Sequence, residues 1–126
     1  MSSGTATPLG LPQRTKGCCQ PVTDLLPEAA AAQLARVFSA LGDPTRVRIV
    51  EILAGAIDPV CVCDLTATFA LAQPTISHHL ARLREAGLVT SFRHGLWSFY
   101  RLDPEMAPAT AAAVRLIRAA GRPGAG

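Results

Sequence analysis

The stretch Gln73-Pro-Thr-Ile-Ser-His-His-Leu-Ala-Arg-Leu83 predicts a helix whose two faces differ in chemistry. Pro74 suits the first turn, where its missing N–H costs nothing, and the apolar residues Ile76, Leu80 and Leu83 recur at helical spacing. The other face carries hydrogen-bonding side chains: Gln73, Thr75, Ser77, His78 and Arg82, with His79 nearer the apolar side. Such groups contact base edges and phosphates, which favours a DNA-recognition helix over the alternative, an ordinary amphipathic helix with a wet face.

The segment before this helix predicts its partner in a helix-turn-helix. Pro59 is expected to open a helix that carries Val62, Leu65 and Phe69 on its core side, and residues 70–72 are expected to form the turn. Two short helices joined by a tight turn, the second with a polar face, are typical of DNA-binding helix-turn-helix motifs.

After Gly87 the pattern changes to strands. Residues 88–93 and 96–102 are β-prone, and His94-Gly95 between them suits a hairpin turn. A hairpin directly after a recognition helix is a wing. Its tip, Arg93 and His94, is expected to reach an adjacent groove or phosphate.

Three further helices predict a mainly α fold with a small β-hairpin wing. One opens at Pro27-Glu28, the next opens at Asp43-Pro44 and should be the central buried helix, and the last runs from Asp103 to about Ala120. Pro108 interrupts the last one, so either residues 103–107 form a separate turn or the helix begins near Pro108. A winged domain of this size does not need this helix for its own core, so we expect it to be a dimer element.

Length, composition and charge fit one folded domain with tails. The chain has 126 residues, of which 49% are apolar but only 5% aromatic, which predicts helices packed through small side chains. It has no apolar run of about 18 residues and no signal-peptide core, so we expect a cytoplasmic protein without a membrane partner. From Gln73 to Arg101, four arginines oppose one glutamate, which accounts for the whole net charge of +3 and favours a polyanionic partner.

The expected organisation has three parts. Residues 1–27 are interpreted as a flexible arm that carries Cys18-Cys19, residues 28–120 as a winged helix-turn-helix domain for DNA binding and homodimerisation, and residues 121–126 as a frayed tail.

The four cysteines form two close pairs, Cys18-Cys19 and Cys61-Val-Cys63. In a reducing compartment such pairs are more typical of ligands or sensors than of structural disulfides. On a regular helix Cys61 and Cys63 would point about 200° apart, so we expect them not to hold one ion together unless the helix start distorts.

Several blocks together resemble the ArsR/SmtB family of winged-helix metal-responsive repressors: Ala40-Leu-Gly-Asp-Pro-Thr-Arg-Val-Arg-Ile49, Cys61-Val-Cys-Asp-Leu65, Gln73-Pro-Thr-Ile-Ser-His-His-Leu80, Leu83-Arg-Glu-Ala-Gly-Leu88 and Trp97-Ser-Phe-Tyr-Arg-Leu102. The resemblance covers about residues 34–102 in the family's order. It implies a homodimer that binds a palindromic double-stranded operator in its apo form and releases it on binding a toxic metal or metalloid. The Cys-Val-Cys-Asp-Leu block is most similar to the arsenic-responsive branch, which implies As(III) or Sb(III) as inducer.

Departures from the family pattern shape the expected site. Thr66 stands where the arsenic-responsive pattern has a third Cys, Ala72 stands where Ser is common, and the last helix lacks the His or Cys ligands of the zinc site in some relatives. Trivalent arsenic and antimony are soft ions that prefer thiolates, usually three. The expected ligand set is therefore Cys18 and Cys19 with Cys61 or Cys63, within one chain or between subunits.

Other uses of the same thiols stay open. Cd(II) or Pb(II) would also bind them, oxidation would switch them, and structural zinc could join all four. An enzyme is disfavoured, because the Cys-x-x-Cys of thiol oxidoreductases and the His-Glu-x-x-His of zinc proteases are both absent.

Overall fold

A computed structural model of the chain describes residues 10–121. The outer parts of the predicted arm and tail, residues 1–9 and 122–126, therefore lie outside the described residues. The elements in chain order are α1 Glu28–Ala40, α2 Pro44–Gly55, β1 Val60–Cys61, α3 Val62–Phe69, α4 Gln73–Glu85, β2 Val89–His94, β3 Trp97–Leu102 and α5 Pro108–Ala120.

The predicted recognition helix is α4, and its apolar stripe is anchored in the core. Ile76, Leu80 and Leu83 are fully buried there, together with Ile49 and Val50 of α2. Burying such side chains contributes about 1.5–3 kcal/mol each relative to leaving them in water. The stripe therefore fixes which face of α4 is left to solvent.

Asp43 caps α2 as the sequence predicts. The backbone N–H of Arg46 donates to Asp43 Oδ2 over 3.0 Å, and Pro44 occupies the first turn. The cap satisfies one of the N–H groups that a helix start leaves without an intrahelical partner.

A tight turn joins α3 to α4 and confirms the helix-turn-helix. Ala70 ends α3 in the left-handed conformation with φ 54°, which is unfavourable for a residue with a side chain. The helix α4 then starts at Gln73 without a side-chain cap, since Ala72 has none to offer. The two helices pack against each other.

The predicted wing is confirmed, but it belongs to a larger sheet than expected. β2 and β3 pair antiparallel with Phe92 opposite Phe99, and Gly95 takes a positive φ of 62° in the turn. β1 adds to the far edge of β3, giving the order β1-β3-β2. The prediction of a helix from Pro59 was wrong: Val60 and Cys61 are extended because they pair with β3, and α3 starts only at Val62.

The last helix, α5, starts at Pro108, and it packs against the core of its own chain. Pro108 lies in the first turn of α5, and residues 103–107 form a separate turn. Ala113 and Val114 are buried against the core, so α5 does contribute to the fold of a single chain, contrary to the prediction. Another part of α5 is open, since Leu116 is 68% exposed.

None of the helices in the described part of the chain has the length and apolarity that a bilayer crossing requires.

Candidate metal site and nucleic-acid interface

The polar face of α4 and the wing tip are open to solvent. Of the eight residues predicted to contact DNA, seven have exposed side chains: Gln73, Thr75, Ser77, His78, Arg82, Arg93 and His94. The helix places its reading groups outward because the apolar stripe occupies the opposite side. The exposed set therefore combines hydrogen-bonding side chains with the cations Arg82 and Arg93, the chemistry that suits base edges and phosphates.

His79 is the exception, since its side chain is only 13% exposed. Its Nδ1 lies 3.1 Å from Arg46 Nη1 and 3.9 Å from Asp43 Oδ2. An arginine can only donate, so Nδ1 accepts this hydrogen bond and the neutral ring carries its proton on Nε2. The geometry favours a role for His79 in holding the fold together, while DNA contact by His79 stays a prediction.

Arg46 joins three helices around this histidine. Its Nε donates to the carbonyl oxygen of Ala40 at the end of α1 over 2.6 Å, while Nη1 reaches His79 on α4. Sequence analysis missed this role, because residues 33 positions apart give no periodic signal of contact. The N-terminus of α2 thereby supports the recognition helix by polar contacts as well as by the core.

A second polar contact joins the recognition helix to the wing. Arg84 Nη1 donates to Ser91 Oγ on β2 over 3.1 Å. The last turn of α4 and the first half of the hairpin are therefore held together at the surface.

The thiols of Cys61 and Cys63 lie together at the start of α3, and their Sγ atoms are 2.9 Å apart. The prediction that they diverge was wrong, because Cys61 is not a helical residue. It precedes α3 with extended backbone, φ −74° and ψ 144°, and its Sγ accepts from the backbone N–H of Cys63 as the helix cap. This bend turns both sulfurs to one side, so one soft ion can contact both.

The two sulfurs differ in environment. Cys61 is buried and Cys63 is exposed. The hydrogen bond that the Cys63 thiol donates to Cys61 raises the Cys63 pKa, because it stabilises the protonated form; partial desolvation and the nearby Asp64 carboxylate act in the same direction. Thr66, in the place of a third thiol, donates its hydroxyl to the carbonyl of Cys63 over 2.8 Å.

The two arm thiols do not join this pair in a single chain. Cys18 is partly buried and Cys19 exposed, and all four cysteines are free. No group of three or more Cys, His, Asp or Glu side chains able to hold a metal occurs within residues 10–121. A three-thiolate site therefore needs the arm to move or a second subunit to contribute.

The central part of the chain matches a known protein family. The model of bacterial regulatory proteins of the arsR family matches residues 43–91, from the cap of α2 into β2. The ArsR2 protein of Halobacterium salinarum, whose name assigns it to repression of an arsenical resistance operon, is 41% identical over 95 residues, which cover 75% of this chain and 79% of that protein. The chain belongs to the ArsR family.

Other relatives agree with this assignment. An arsenic resistance transcriptional regulator of Pseudomonas putida is 49% identical over 70 residues, and the match covers 56% of this chain and 54% of that regulator. A homodimeric winged helix-turn-helix DNA-binding domain from Mycobacterium bovis, solved by NMR, has a TM-score of 0.61 at 26% identity and covers 79% of this chain and 89% of its own. This ArsR-family chain is a winged helix-turn-helix DNA-binding protein and a transcriptional repressor of the ArsR type. The ArsR family is a class of regulators, not of enzymes.

Proposed function

We propose that this ArsR-family repressor acts in the cytoplasm as a homodimer that binds a palindromic operator while its thiols are free and releases it when As(III) or Sb(III) binds them. The observation that carries the proposal is the position of the Cys61–Cys63 pair at the start of α3, the helix that packs against the recognition helix α4. An ion bound there acts within the helix-turn-helix itself. The relatives named for arsenic resistance support this choice of inducer.

The ligation needs no oxidant or reductant. Each thiol that binds As(OH)3 loses its proton, replaces one hydroxide and forms one As–S bond, so one water leaves per thiolate. The pair Cys61–Cys63 supplies up to two thiolates, because its Sγ atoms lie 2.9 Å apart. Cys18 or Cys19 supplies the remainder, brought by the arm of residues 1–27 from the same chain or from the second subunit.

The dimer is proposed to form through α1 and α5. These helices contact each other, and each leaves a large apolar side chain open: Phe38 of α1 is 56% exposed and Leu116 of α5 is 68% exposed. Leu25 and Leu26, just before α1, are exposed as well. Monomeric proteins rarely leave several such groups together in water, and the Mycobacterium bovis relative is a homodimer.

Operator binding is proposed to use the seven exposed side chains of α4 and the wing. Two copies related by a two-fold axis present two recognition helices, which must match half-sites about one helical turn apart. Small changes in the spacing or tilt of the two helices are then costly. A coupling of about 1–3 kcal/mol between inducer and operator is the usual scale and corresponds to about 5–150-fold in affinity.

The first test is a titration of arsenite into the reduced protein bound to fluorescein-labelled DNA from its own promoter, followed by anisotropy. Release by one or two equivalents per dimer is expected. The variant Cys61→Ser/Cys63→Ser should bind DNA and ignore arsenite, and Cys18→Ser/Cys19→Ser should need much more of it. Arsenite-resistant binding by the wild type would contradict the proposed inducer and leave the repressor assignment intact.

A second candidate is an oxidation switch at the same thiols. The 2.9 Å separation of Cys61 Sγ and Cys63 Sγ is the observation that favours it, since an oxidised sulfur would have a resolving thiol beside it. Peroxide would take two electrons from the pair and leave as water, with a disulfide formed. Loss of DNA binding with peroxide and its recovery with dithiothreitol, without any response to arsenite, would select this function.

A further inference from the structure

A cleft of about 230 Å³ lies between the thiol pair and the wing. Two parts of the chain line it: the start of α3, with Cys61, Cys63 and Thr66, and the wing, with Leu96 and Trp97. Trp97 is 53% exposed and lines the cleft together with Cys61 and Cys63.

The pairing of β1 with β3 joins the two parts of the lining through Cys61, the strand residue that precedes α3. Cys61 lies opposite Phe99, and Trp97 lies two residues away from Phe99 along β3. Residues directly opposite each other, and residues two apart on one strand, point to the same face of a sheet. Cys61 and Trp97 are therefore diagonal neighbours on one face, connected by backbone hydrogen bonds rather than by a loop.

The same cleft also reaches the surface proposed to contact DNA. Gln73, the first residue of α4, and Arg93, on the wing, both line it. A ligand held by the thiols would thus lie between α4 and the wing. These are the two elements that must fit the DNA together. At the other end of α4 the helix and the wing are joined by the hydrogen bond from Arg84 to Ser91.

We propose that the wing forms the second wall of the inducer site and that Trp97 is the positioning residue that transmits ligand binding to it. This inference rests on the proposed function and specifies how it works within one subunit. A soft ion on Cys61 and Cys63 enters the cleft and contacts Trp97. The wing then shifts relative to the N-terminus of α4, so that Arg93 and Gln73 no longer fit the same stretch of DNA.

The single tryptophan of the chain makes this contact directly measurable. Arsenite is titrated into the reduced full-length protein without DNA while Trp97 emission is recorded. A saturable change in intensity or wavelength is expected, with a midpoint at the arsenite concentration that releases DNA, and it should disappear in Cys61→Ser/Cys63→Ser. Complete release of DNA by arsenite with unchanged Trp97 emission would overturn the inference while the proposed function survived.

Variants on the wing test whether Trp97 affects the release of DNA. The quantity compared is the ratio of operator Kd with saturating arsenite to operator Kd without it, so that any loss of basal affinity cancels. Trp97→Ala should reduce this ratio at least fivefold and Trp97→Phe much less. Phe92→Ala is the matched control, because Phe92 is a wing aromatic of similar exposure, 46% against 53% for Trp97, that does not line the cleft.

The outcomes separate the two proposals. An equal ratio in Trp97→Ala and the wild type, or equal losses in Trp97→Ala and Phe92→Ala, would reject Trp97 as the transmitting residue. A wild-type protein that keeps its DNA in arsenite would reject the proposed inducer. In that case a thiol-dependent change in Trp97 emission would still establish that the ion binds in the cleft. Unchanged emission would reject binding in the cleft too.

Discussion

Cys61 and Cys63 meet across a change of backbone conformation, with Cys61 at the end of an extended strand and Cys63 in the first turn of α3. Their Sγ atoms, 2.9 Å apart, share one hydrogen bond. This contact brings two potential ligands together and at the same time holds the exposed one in its protonated form.

The raised pKa of Cys63 should make its thiol slow to react. In a Cys18→Ser/Cys19→Ser background, we expect iodoacetamide to modify Cys63 several-fold more slowly at pH 7.5 than it modifies free cysteine, because less thiolate is present. Cys61→Ala removes the hydrogen-bond acceptor and should speed the reaction. Mass spectrometry of quenched samples measures both rates, and equal rates in the two backgrounds would contradict the assignment.

Asp43 should stabilise the protein most at neutral pH. The hydrogen bond from the backbone N–H of Arg46, together with the charge of the Arg46 guanidinium, holds the pKa of this carboxyl below its ordinary value of 3.8. The unfolded chain therefore binds the proton more readily, so the stabilisation is present above about pH 4 and is lost as the pH falls towards the folded pKa.

The corresponding measurement is the urea midpoint of Asp43→Ala against the wild type at several pH values. The deficit of the variant should be constant from pH 8 to about pH 5 and shrink below pH 4. Asp58→Ala, which removes an exposed carboxylate from the connection after α2, is the control and should change the midpoint little. A deficit that grows in acid would mean that the sign is wrong.

Replacing Ala70 with glycine should stabilise the folded protein. Its φ of 54° costs an alanine about 1–2 kcal/mol, while glycine loses about 0.5–1 kcal/mol more chain entropy on folding. We expect Ala70→Gly to raise the free energy of unfolding by about 0.5–1 kcal/mol, or the Tm by a few degrees. Ala67→Gly, three residues earlier inside α3, should lower it by about the same amount.

Arg82 and Ser77 should contribute differently to DNA binding. Arg82→Ala is expected to weaken binding to all sequences alike and to reduce the slope of log K against log salt by about 1, as the loss of a phosphate contact does. Ser77→Ala should instead lower the preference for operator over random DNA by about 0.5–1.5 kcal/mol, the net contribution of one hydrogen bond. Anisotropy titrations at several salt concentrations separate the two effects, and Lys16→Ala, which removes an exposed cation outside α4, the wing and the proposed dimer helices, is the control for charge alone.

Leu116 tests the proposed dimer surface. Replacing it with glutamate should raise the dimer Kd by about tenfold or more, because about 1.5–3 kcal/mol of apolar burial is lost. Since Leu116 is 68% exposed in one chain, the fold of the subunit should survive. Analytical ultracentrifugation with far-UV circular dichroism measures both. Ile57→Glu alters an exposed apolar residue in the connection between α2 and β1, outside the two proposed dimer helices, and should leave the dimer intact.

The periodic parts of the molecule could be predicted from the sequence. The stripe of Ile76, Leu80 and Leu83, the Asp43 cap and the hairpin around Gly95 each follow from a local pattern, and the structure confirms them. The exposed face of α4 followed directly from the stripe. Local signals sufficed because each of these features depends on residues within a few positions of one another.

The site itself depended on contacts that local patterns do not encode. Cys61 was assigned to a helix because Pro59 is a common helix opener, whereas pairing with Phe99 holds Cys61 extended. That single error reversed the relation of the two thiols. The docking of His79 on Arg46 and the approach of Trp97 to the thiols are likewise products of tertiary structure.

Cys61 ends β1 and caps α3 through its Sγ, and in the proposed inducer site that same sulfur is also a ligand. A change of inducer chemistry at this position is therefore also a change to the scaffold. Serine at position 61 would keep a cap but present a hard oxygen to the inducer. A larger sulfur-containing side chain there would lose the cap and disturb β1. Cys63 neither ends a strand nor caps a helix. We therefore expect that substitutions at Cys63 and on the arm change the inducer preference with less effect on the fold than substitutions at Cys61. Evolution of new specificities should accordingly vary these positions first and keep a small capping side chain at 61.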